Sequence, residues 1–375
     1  MTFQDVLWEY GHIFLNNFKL PPHALKAFWA IFSCRTSLLG GHLFTCDHCG
    51  YESFMYNSCR NRHCNMCQTA AKELWIAKQS QYLLDTNYFH AVFTVPAALN
   101  PIIFQNQKEV YRIFFKAVSD TILELCHDRK YLGATPGITA ILHTWGQNMM
   151  YHPHIHCVIT GGGLNSIDKW VESSKKFFLP VKVMSKVFKN IFLDYLRELN
   201  LNFSGSVEML NLKTNYASFI SGLYNTDWVT YCKPPFGSPD KVIDYLGRYT
   251  HRVAISNNRI ISMENGFVTF SWRDYRDSNK LKLMRLSAVE FIRRYFLHIL
   301  PDGFRKIRHY GILSSKNKKS KIALCKKLTN TRISISIADL TLVDILKRIF
   351  GRDFNLCPVC KVGHMNKSSP VSASA

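Results

Sequence analysis

Six of the twelve cysteines lie between Cys34 and Cys67, and this cluster restricts the fold more than any other feature of the chain. There are three Cys-x-x-Cys pairs, where chance would supply about 0.4. Two of them, Cys46-x2-Cys49 and Cys64-x2-Cys67, are separated by fourteen residues, which is the spacing of two knuckles of one tetrahedral zinc site. We therefore predict a structural Zn²⁺ bound by these four thiolates.

Other soft ligands in the same segment could hold a second zinc, namely Cys34, His42, Cys59 and His63. Buried free cysteines beside a single zinc are an equally good interpretation. Arg60 and Arg62 lie between these potential ligands, where we expect zinc to hold them rigidly against a DNA phosphate backbone. The third pair, Cys357-x2-Cys360, has no obvious fourth ligand nearby.

The charge of the chain indicates a polyanionic partner. Its 47 Lys and Arg residues exceed its 26 Asp and Glu residues, which gives a formal net charge of +21. An excess of this size attracts nucleic acids and raises encounter rates with them. Hydrophobic residues make up 47 % of the chain, which is enough for a sizeable core. No apolar run approaches the roughly 18 residues that a membrane span needs, and the first residues lack a signal-peptide pattern. We expect a cytoplasmic, nucleoid-associated protein with no membrane partner.

The sequence between the cysteine-rich ends is typical of an α+β fold. Residues 89–95 and 137–146 have strand character, and residues 107–128 have apolar side chains at helical spacing. The segment 152–164, which contains His152, His154 and His156, has the character of another strand, and we expect it to pair with 137–146 across the loop 147–151. Alternate imidazoles on a strand share one face and can hold a divalent metal while leaving positions open for a substrate oxygen.

Two tyrosines one helical turn apart complete the set of candidate catalytic residues. Tyr245 and Tyr249 follow a helix start at residues 238–240, and Arg248 and Arg252 flank them. A metal held by histidines polarises a phosphodiester, and a tyrosine oxygen can then attack phosphorus to form a covalent intermediate. The two arginines could bind the neighbouring phosphates.

In this order of features the chain resembles the rolling-circle transposases of bacterial insertion sequences, within the two-tyrosine HUH (His-hydrophobic-His) nuclease superfamily. The resemblance extends from the zinc segment 33–68 to about residue 313. The segments that carry it are 57–64 (NSCRNRHC), 152–164, 244–256 and 308–311 (RHYG). One departure is Asn65, where the family usually has proline.

The resemblance implies an HUH-type antiparallel sheet with flanking helices, preceded by a small Cys-rich zinc-binding domain. His154 and His156 would bind catalytic Mg²⁺ or Mn²⁺ with Ile155 in the core, whereas His152 would belong to a loop. Tyr245 and Tyr249 would be the nucleophiles that cleave and rejoin single-stranded DNA at the element ends, leaving a 5′-phosphotyrosine. A third metal ligand near the tyrosine helix is also expected, with Asp244, Glu208 and His251 as candidates.

We divide the chain into three parts on these grounds. Residues 1–87 form a helical and zinc-binding domain for DNA recognition, and residues 88–313 form the catalytic domain. Residues 314–375 form a basic segment with the third Cys-x-x-Cys pair; we expect 316–327 to be a solvated loop and the tail from Lys367 to be disordered.

Two other functions fit parts of the sequence. A zinc-dependent DNA-binding regulator without catalytic activity would explain the zinc segment and the charge, but it leaves the histidine strand without a purpose. A two-metal phosphodiesterase would need Asp and His where this chain has Val158 and Ile159. Only the transposase is expected to form a covalent tyrosyl intermediate with DNA.

Overall fold

The computed structural model of the chain describes residues 1–174, 178–233, 242, 245, 247, 253–275, 277–331, 341, 343, 344, 347, 351 and 353–371. The α-helices within this part are α1 (Phe3–Asn17), α2 (Pro22–Phe32), α3 (Gln68–Ser80), α4 (Asn100–Gln105), α5 (Gln107–His127), α6 (Val181–Arg197), α7 (Lys213–Tyr224), α8 (Ala288–Phe296) and α9 (Lys318–Leu328). The strands are β1 (Gly41–Cys46), β2 (Glu52–Tyr56), β3 (Tyr88–Thr94), β4 (Thr135–Trp145), β5 (Tyr151–Leu164), β6 (Trp170–Glu172), β7 (Thr230–Lys233), β8 (Ile260–Glu264), β9 (Phe267–Asp274), β10 (Lys280–Ser287), β11 (Ile307–Gly311) and β12 (Met365–Val371).

A six-stranded antiparallel sheet forms the centre of the molecule. Its strand order is β11-β4-β5-β3-β7, and β6 pairs with the far end of β5. The predicted α+β fold with an antiparallel sheet is therefore confirmed, as is the pairing of the histidine strand with residues 137–146. His152 was expected in a loop, but it belongs to β5. The adjoining Pro153 is tolerated there because the β4–β5 register shifts between His143 and Trp145, where a ladder hydrogen bond is not required.

One face of this sheet is covered by helices and forms the main core. Side chains that alternate along the three central strands point to this face, Ile155 of β5 among them with no exposed surface. The long helix α5 lies against them with buried Phe114 and Phe115, and α6 adds Phe188 and Phe192. The other side chains of the same strands therefore point to the opposite face, and that face holds the histidines.

The opposite face is covered in part by α3 and by residues 242 and 245. Val242 and Tyr245 pack there against Tyr88, Ile141 and Val158, with Trp75 of α3 at the margin. The alternation of the strands thus separates a hydrophobic core on one side from a polar site on the other.

A second core joins the N-terminal helices to residues 254–299. Helices α1 and α2 pack against α8 and against the sheet of order β10-β9-β8, and the ring of Phe3 stacks on Tyr295 at 3.7 Å. Helix α1 begins with a capping box, in which the Asp5 backbone N–H donates to the Thr2 hydroxyl and the Thr2 N–H donates to the Asp5 carboxylate. The predicted N-terminal domain therefore shares its core with residues 254–299.

The C-terminal segment is more ordered than expected. Residues 318–328 form α9 instead of a loop, because Ile322 and Cys325 lie one helical turn apart and pack against Leu84 and Leu313. Residues 365–371 form β12, which pairs with β1, so the prediction of a disordered tail is wrong for them. Within the part of the chain that is described, no helix has the length and apolarity that crossing a membrane requires.

Candidate active site and metal-binding clusters

Three histidines from two neighbouring strands meet on the face of the central sheet that is opposite the main core. His154 and His156 alternate with the buried Ile155 in β5, so both imidazoles share that face. His143 of β4 is paired directly with His154. One ring nitrogen of each histidine lies within 4.8 Å of the others. The arrangement fits a divalent cation, because three imidazoles on rigid strands leave coordination positions open for substrate oxygens.

His143 was missed by the sequence interpretation, although the sequence held a signal for it. The predicted pairing of residues 137–146 with the histidine strand already placed a third imidazole close to the other two. The three candidates that were considered instead have different outcomes. Glu208 lies beside Val207 and Leu210, which belong to the core on the far side of the sheet. Asp244 and His251 lie outside the described residues.

The Tyr245 hydroxyl reaches the same cluster. Its oxygen lies 3.2 Å from Nδ1 of His156 and is hydrogen-bonded to Nε2 of His90. His90 Nε2 is itself 3.1 Å from His156 Nδ1, and Tyr245 is only 9 % exposed. A tyrosine hydroxyl is thus held beside two imidazoles that can accept its proton. Tyr249, Arg248 and Arg252, which were predicted to act with Tyr245, lie outside the described residues.

His90 is a second residue that the sequence interpretation missed. It lies in the middle of β3, where Tyr88, His90 and Val92 alternate with the buried Phe89 and Ala91. The strand character of this segment was predicted, and a histidine in a mostly apolar strand was the available signal. The signal was insufficient because His90 and His156 are 66 positions apart in the sequence, and no local pattern indicates that their strands pair.

Cys34, Cys59, Cys64 and Cys67 form the first of two four-cysteine clusters. The sulfur of Cys67 lies 3.6 Å from that of Cys34 and 3.6 Å from that of Cys59. Four thiolates around zinc at about 2.3 Å stand about 3.8 Å apart, so the spacing suits a tetrahedral site. Cys34 and Cys64 are fully buried in the core shared by α1 and α8. A metal here would be part of that core.

The second cluster combines Cys46 and Cys49 with the C-terminal pair Cys357 and Cys360. The sulfurs of Cys46 and Cys360 are 3.7 Å apart, as are those of Cys49 and Cys357. A Cβ on Gly363 would lie 2.7 Å from the Cys46 sulfur, so the close approach of the two loops needs glycine there. The backbone N–H groups of Gly363 and Val362 lower the pKa of the Cys360 thiol to about 6, which favours the thiolate that zinc binds.

The asparagine and aspartate side chains around the second cluster tie the two loops together. The Asp47 carboxylate accepts hydrogen bonds from the His364 backbone N–H and from the Asn366 amide. β1 and β12 then pair along Gly41–Cys46 and Met365–Val371. The C-terminal segment is therefore an integral strand of the cysteine-rich module.

These clusters correct the predicted zinc ligands. Cys46 and Cys49 do not share a site with Cys64 and Cys67, because β12 brings Cys357 and Cys360 to the former while the end of α2 brings Cys34 to the latter. His42 and His63 belong to neither cluster. Burial lowers the pKa of His63, and its Nε2 accepts from the Leu300 N–H.

The two arginines of the zinc segment have different environments. Arg62 is half-buried, and its guanidinium donates to the carbonyl oxygens of Leu300, Pro301 and Phe304. These hydrogen bonds hold the turn after α8. The Arg62 guanidinium therefore stabilises the fold instead of making the expected contact with a DNA phosphate. Arg60 is exposed and has a φ of 53°. A contact between Arg60 and DNA stays a prediction.

Two protein-family models match this chain, one over its N-terminal part and one over its central part. Residues 137–321 match a family model described as a putative transposase, and residues 6–95 match one described as a transposase zinc-binding domain. The second match ends before Cys357 and Cys360, which complete the second cluster.

Two curated proteins are similar over most of their length. The chain is 40 % identical over 370 residues to the putative transposase y4qJ of Sinorhizobium fredii (strain NBRC 101917 / NGR234), with 96 % of this chain and 93 % of that protein covered. It is 28 % identical over 290 residues to the transposase for insertion sequence element IS801 of Pseudomonas savastanoi pv. phaseolicola, covering 76 % of this chain and 68 % of that protein. No solved structure matches the chain.

Proposed function

Because the chain belongs to the IS91-type, rolling-circle transposases of bacterial insertion sequences, we propose that it nicks and rejoins single-stranded DNA at the ends of its mobile element by tyrosine attack on a phosphodiester. The observation that carries this proposal is the contact of the Tyr245 hydroxyl with His90 and His156. A nucleophile beside a proton acceptor and beside a set of metal-ligand side chains is the arrangement that the reaction requires. This arrangement supports the proposal that the protein is an HUH-type nuclease.

In the proposed first step, the Tyr245 oxygen forms a bond to phosphorus and the bond from phosphorus to the 3′-oxygen breaks. The products are a 5′-phosphotyrosine and a strand with a free 3′-hydroxyl. The phenolic proton passes to the imidazole of His90, which lies within hydrogen-bond reach of the hydroxyl, and the departing oxygen takes a proton from water. His90 also orients the phenol before attack.

We assign the divalent-metal site to His143, His154 and His156. Bound Mg²⁺ or Mn²⁺ would polarise a non-bridging phosphodiester oxygen. His156 would then have two tasks, since its Nδ1 also faces Tyr245. Tyr249, four positions further along the chain, is proposed as the second nucleophile, and Arg248 and Arg252 as phosphate ligands on the basis of sequence alone.

We propose a structural role for the two cysteine clusters. Four thiolates leave no position open for substrate, so Zn²⁺ in each would supply folding energy. The module that they hold is proposed to recognise DNA near the element ends, with Arg60 exposed on it. A net charge of +21 would keep such a protein at the nucleoid.

The proposal is tested with single-stranded DNA from both flanks of the element, incubated with purified protein and Mn²⁺. We expect a DNA–protein adduct that survives a denaturing gel and is greatly reduced in Tyr245→Phe. Tyr224→Phe is the matched control, because Tyr224 lies on α7 and donates to Asp194 at the surface. This control should form the adduct normally.

The opposite outcome has a definite meaning. If DNA is retarded on a native gel but neither flank forms a covalent species with Mg²⁺ or Mn²⁺, the proposed chemistry is wrong. A zinc-dependent DNA-binding regulator then becomes the better description. Adduct formation that persists undiminished in both Tyr245→Phe and the Tyr245→Phe/Tyr249→Phe double variant would overturn the assignment of the nucleophiles.

A further inference from the structure

A wide basic groove crosses the open edge of the central sheet. It has a volume of about 1150 Å³ and lies between the end of α3, the beginning of α5, the turn at residues 302–305 and β11. β11 is the outermost strand on this side of the sheet, so the groove runs past an edge rather than into the core. Nothing in the proposed cleavage step uses these residues.

The groove carries a strong excess of positive charge. Asp302 is the one carboxylate among its described lining residues. The cations that line it are Lys78, Lys108, Arg112, Arg305, Arg308 and Lys318. None of the six forms a salt bridge with a carboxylate within the part of the chain that is described. Such a set of cations is complementary to a chain of phosphates.

Aromatic rings are interleaved with these cations. The Arg308 guanidinium lies 5.4 Å from the ring centroid of Phe304, and the Lys318 ammonium lies 3.2 Å from that of Tyr82. Tyr310 also lines the groove. Burial lowers the pKa of Lys318 to about 8, a cost that a nearby phosphate would offset. Alternating cations and rings are typical of surfaces that bind single-stranded nucleic acid, whose bases are free to stack.

The strand register connects the groove to the tyrosine and histidine site. His156 of β5 is paired with Ile141 of β4, and Ile141 is paired with Ile307 of β11. These three residues therefore form a row across the sheet, two strand spacings or about 10 Å long. Ile307 lines the groove and also packs in the cluster that contains Tyr245. Through Ile307, the groove therefore adjoins the side chains that pack around Tyr245.

We propose that this groove binds the single-stranded DNA that flanks the scissile phosphate, so that the strand crosses the sheet edge at β11 on its way to Tyr245. Only one part of this inference rests on the proposed function, namely that the bound DNA strand runs toward Tyr245. The binding surface itself follows from charge, aromatic content and position. Phosphates would contact the lysines and arginines, and the bases would stack on Tyr82 and Tyr310, which are only partly buried, whereas Phe304 is buried and supports Arg308 from below.

The test removes two groove cations that are far from the proposed chemistry. Lys108 and Arg112 are exposed, lie four positions apart on α5 and have no role in the proposed cleavage step. Lys108→Ala/Arg112→Ala is therefore the test variant. The matched control is Lys182→Ala/Lys186→Ala, which removes two exposed cations with the same spacing from α6, outside the groove. Thermal unfolding of both variants checks that they fold.

Binding is measured by fluorescence anisotropy with a labelled oligothymidylate of about 20 nucleotides, without added Mg²⁺ or Mn²⁺ and in the Tyr245→Phe background, over a series of salt concentrations. Loss of two phosphate contacts should reduce the slope of log K against log salt by about 1.4 and weaken binding about 10-fold in 0.1 M salt. The control variant should retain the slope of the parent protein. An equal slope in the groove variant would overturn the proposal.

Two further results separate this inference from the proposed function. If duplex DNA of the same length loses at least as much affinity as the single strand, the groove binds duplex and the proposal is wrong. Adduct formation by the wild-type protein is scored separately on the denaturing gel. If the groove variant has an altered salt slope but the wild-type protein forms no adduct, the groove binds DNA and the cleavage proposal is wrong. If the adduct forms but the salt slope of the groove variant is unchanged, the cleavage proposal stands and the groove proposal is wrong.

Discussion

The Tyr245 hydroxyl oxygen lies 3.2 Å from Nδ1 of His156, although the two residues are 89 positions apart in the chain. β5 supplies the histidine, and the segment that follows β7 supplies the tyrosine. His90 of β3 lies between them in space and contacts both. A contact among three separate segments fixes the position of a proposed nucleophile relative to its proton acceptor before DNA arrives, which reduces the entropy that the reaction must lose.

Replacing His143 should impair the divalent-metal site without affecting zinc. We expect His143→Ala to lower Mn²⁺ affinity and DNA cleavage by more than about 10-fold, since one of three ligands is lost. The measurement is adduct yield against Mn²⁺ concentration, with zinc content determined in parallel. His152→Ala is the control, because His152 is exposed on the same strand but lies outside the histidine cluster. Equal Mn²⁺ dependence in the two variants would exclude His143 as a ligand.

Replacing His90 should slow cleavage more than it weakens DNA binding. A positioned proton acceptor contributes about 10²- to 10⁴-fold to a rate, so His90→Ala should lose that much in single-turnover adduct formation. The pH dependence of the rate should change at the same time, because the group that accepts the phenolic proton is gone. Single-turnover rates from pH 6 to about 9 measure both effects. A His90→Ala protein with an unaltered pH profile would restrict His90 to a packing role.

Zinc stoichiometry should follow the two clusters that the structure defines. The wild-type protein is expected to bind two zinc ions, one for each group of four cysteines. Cys357→Ser should bind one, because it breaks only the cluster shared with Cys46, Cys49 and Cys360. Elemental analysis of the purified proteins gives the count. Cys232→Ser serves as control, since Cys232 belongs to neither cluster.

The two zinc clusters should also differ in their effect on folding. Cys64 is buried in the core beneath α1 and α8, whereas Cys49 and Cys360 of the second cluster retain exposed surface. Cys64→Ser should therefore reduce the yield of folded protein much more than Cys357→Ser does, because structural zinc supplies folding energy to the elements around it. Thermal unfolding and limited proteolysis compare the variants. If Cys357→Ser instead reduces the yield of folded protein more than Cys64→Ser does, the second cluster contributes more to folding than the first.

Acid should destabilise the protein through a buried histidine. Burial lowers the pKa of His298 from 6.5 to about 4, and its ring contacts Thr144 and the Met149 carbonyl. The unfolded chain therefore binds more protons between pH 6.5 and 4, so the free energy of unfolding falls as pH falls through that window. The contribution amounts to about 3 kcal/mol when the window has been crossed.

Denaturant unfolding of wild-type protein and His298→Gln at several pH values measures this effect. The variant is expected to be less stable at pH 7 but to lose less stability on acidification, because its side chain does not titrate. His309 has its pKa lowered to about 4 by burial as well, so part of the pH dependence should remain. An unchanged pH dependence in His298→Gln would contradict the assignment.

The histidine site was largely predictable, because the residues of a strand can be recognised within a short segment of sequence. Local strand character predicted β4 and β5, the family resemblance implied that Ile155 points into the core, and the hairpin between the two strands is short. His143 follows from the same pairing once its register is known. His90 and the arrival of Tyr245 were not predictable, because β3 and residue 245 reach the site by long connections whose packing no local pattern specifies.

The zinc ligands show more clearly the same difference between what the local sequence predicts and what it cannot predict. Spacing identified the Cys-x-x-Cys knuckles, since the knuckle is a local turn that needs only two cysteines and the backbone between them. Two knuckles adjacent in sequence were therefore assigned to one ion. Eight of the twelve cysteines belong to the two ligand sets. The number of cysteines alone therefore indicates neither the number of ions nor which pairs combine.

The sequence by itself determined the class of fold and the metal-binding residue types, because both depend on periodicity and spacing within short segments. Its motifs also carried the resemblance to the family. The tertiary structure decided which residues share a site. β12 returns to pair with β1 and brings Cys357 to Cys49, at a separation of 308 positions, while Tyr245 packs on the sheet beside His90. Such contacts arise from the burial of whole elements against one another, and that balance of packing is a property of the complete chain rather than of any motif in it.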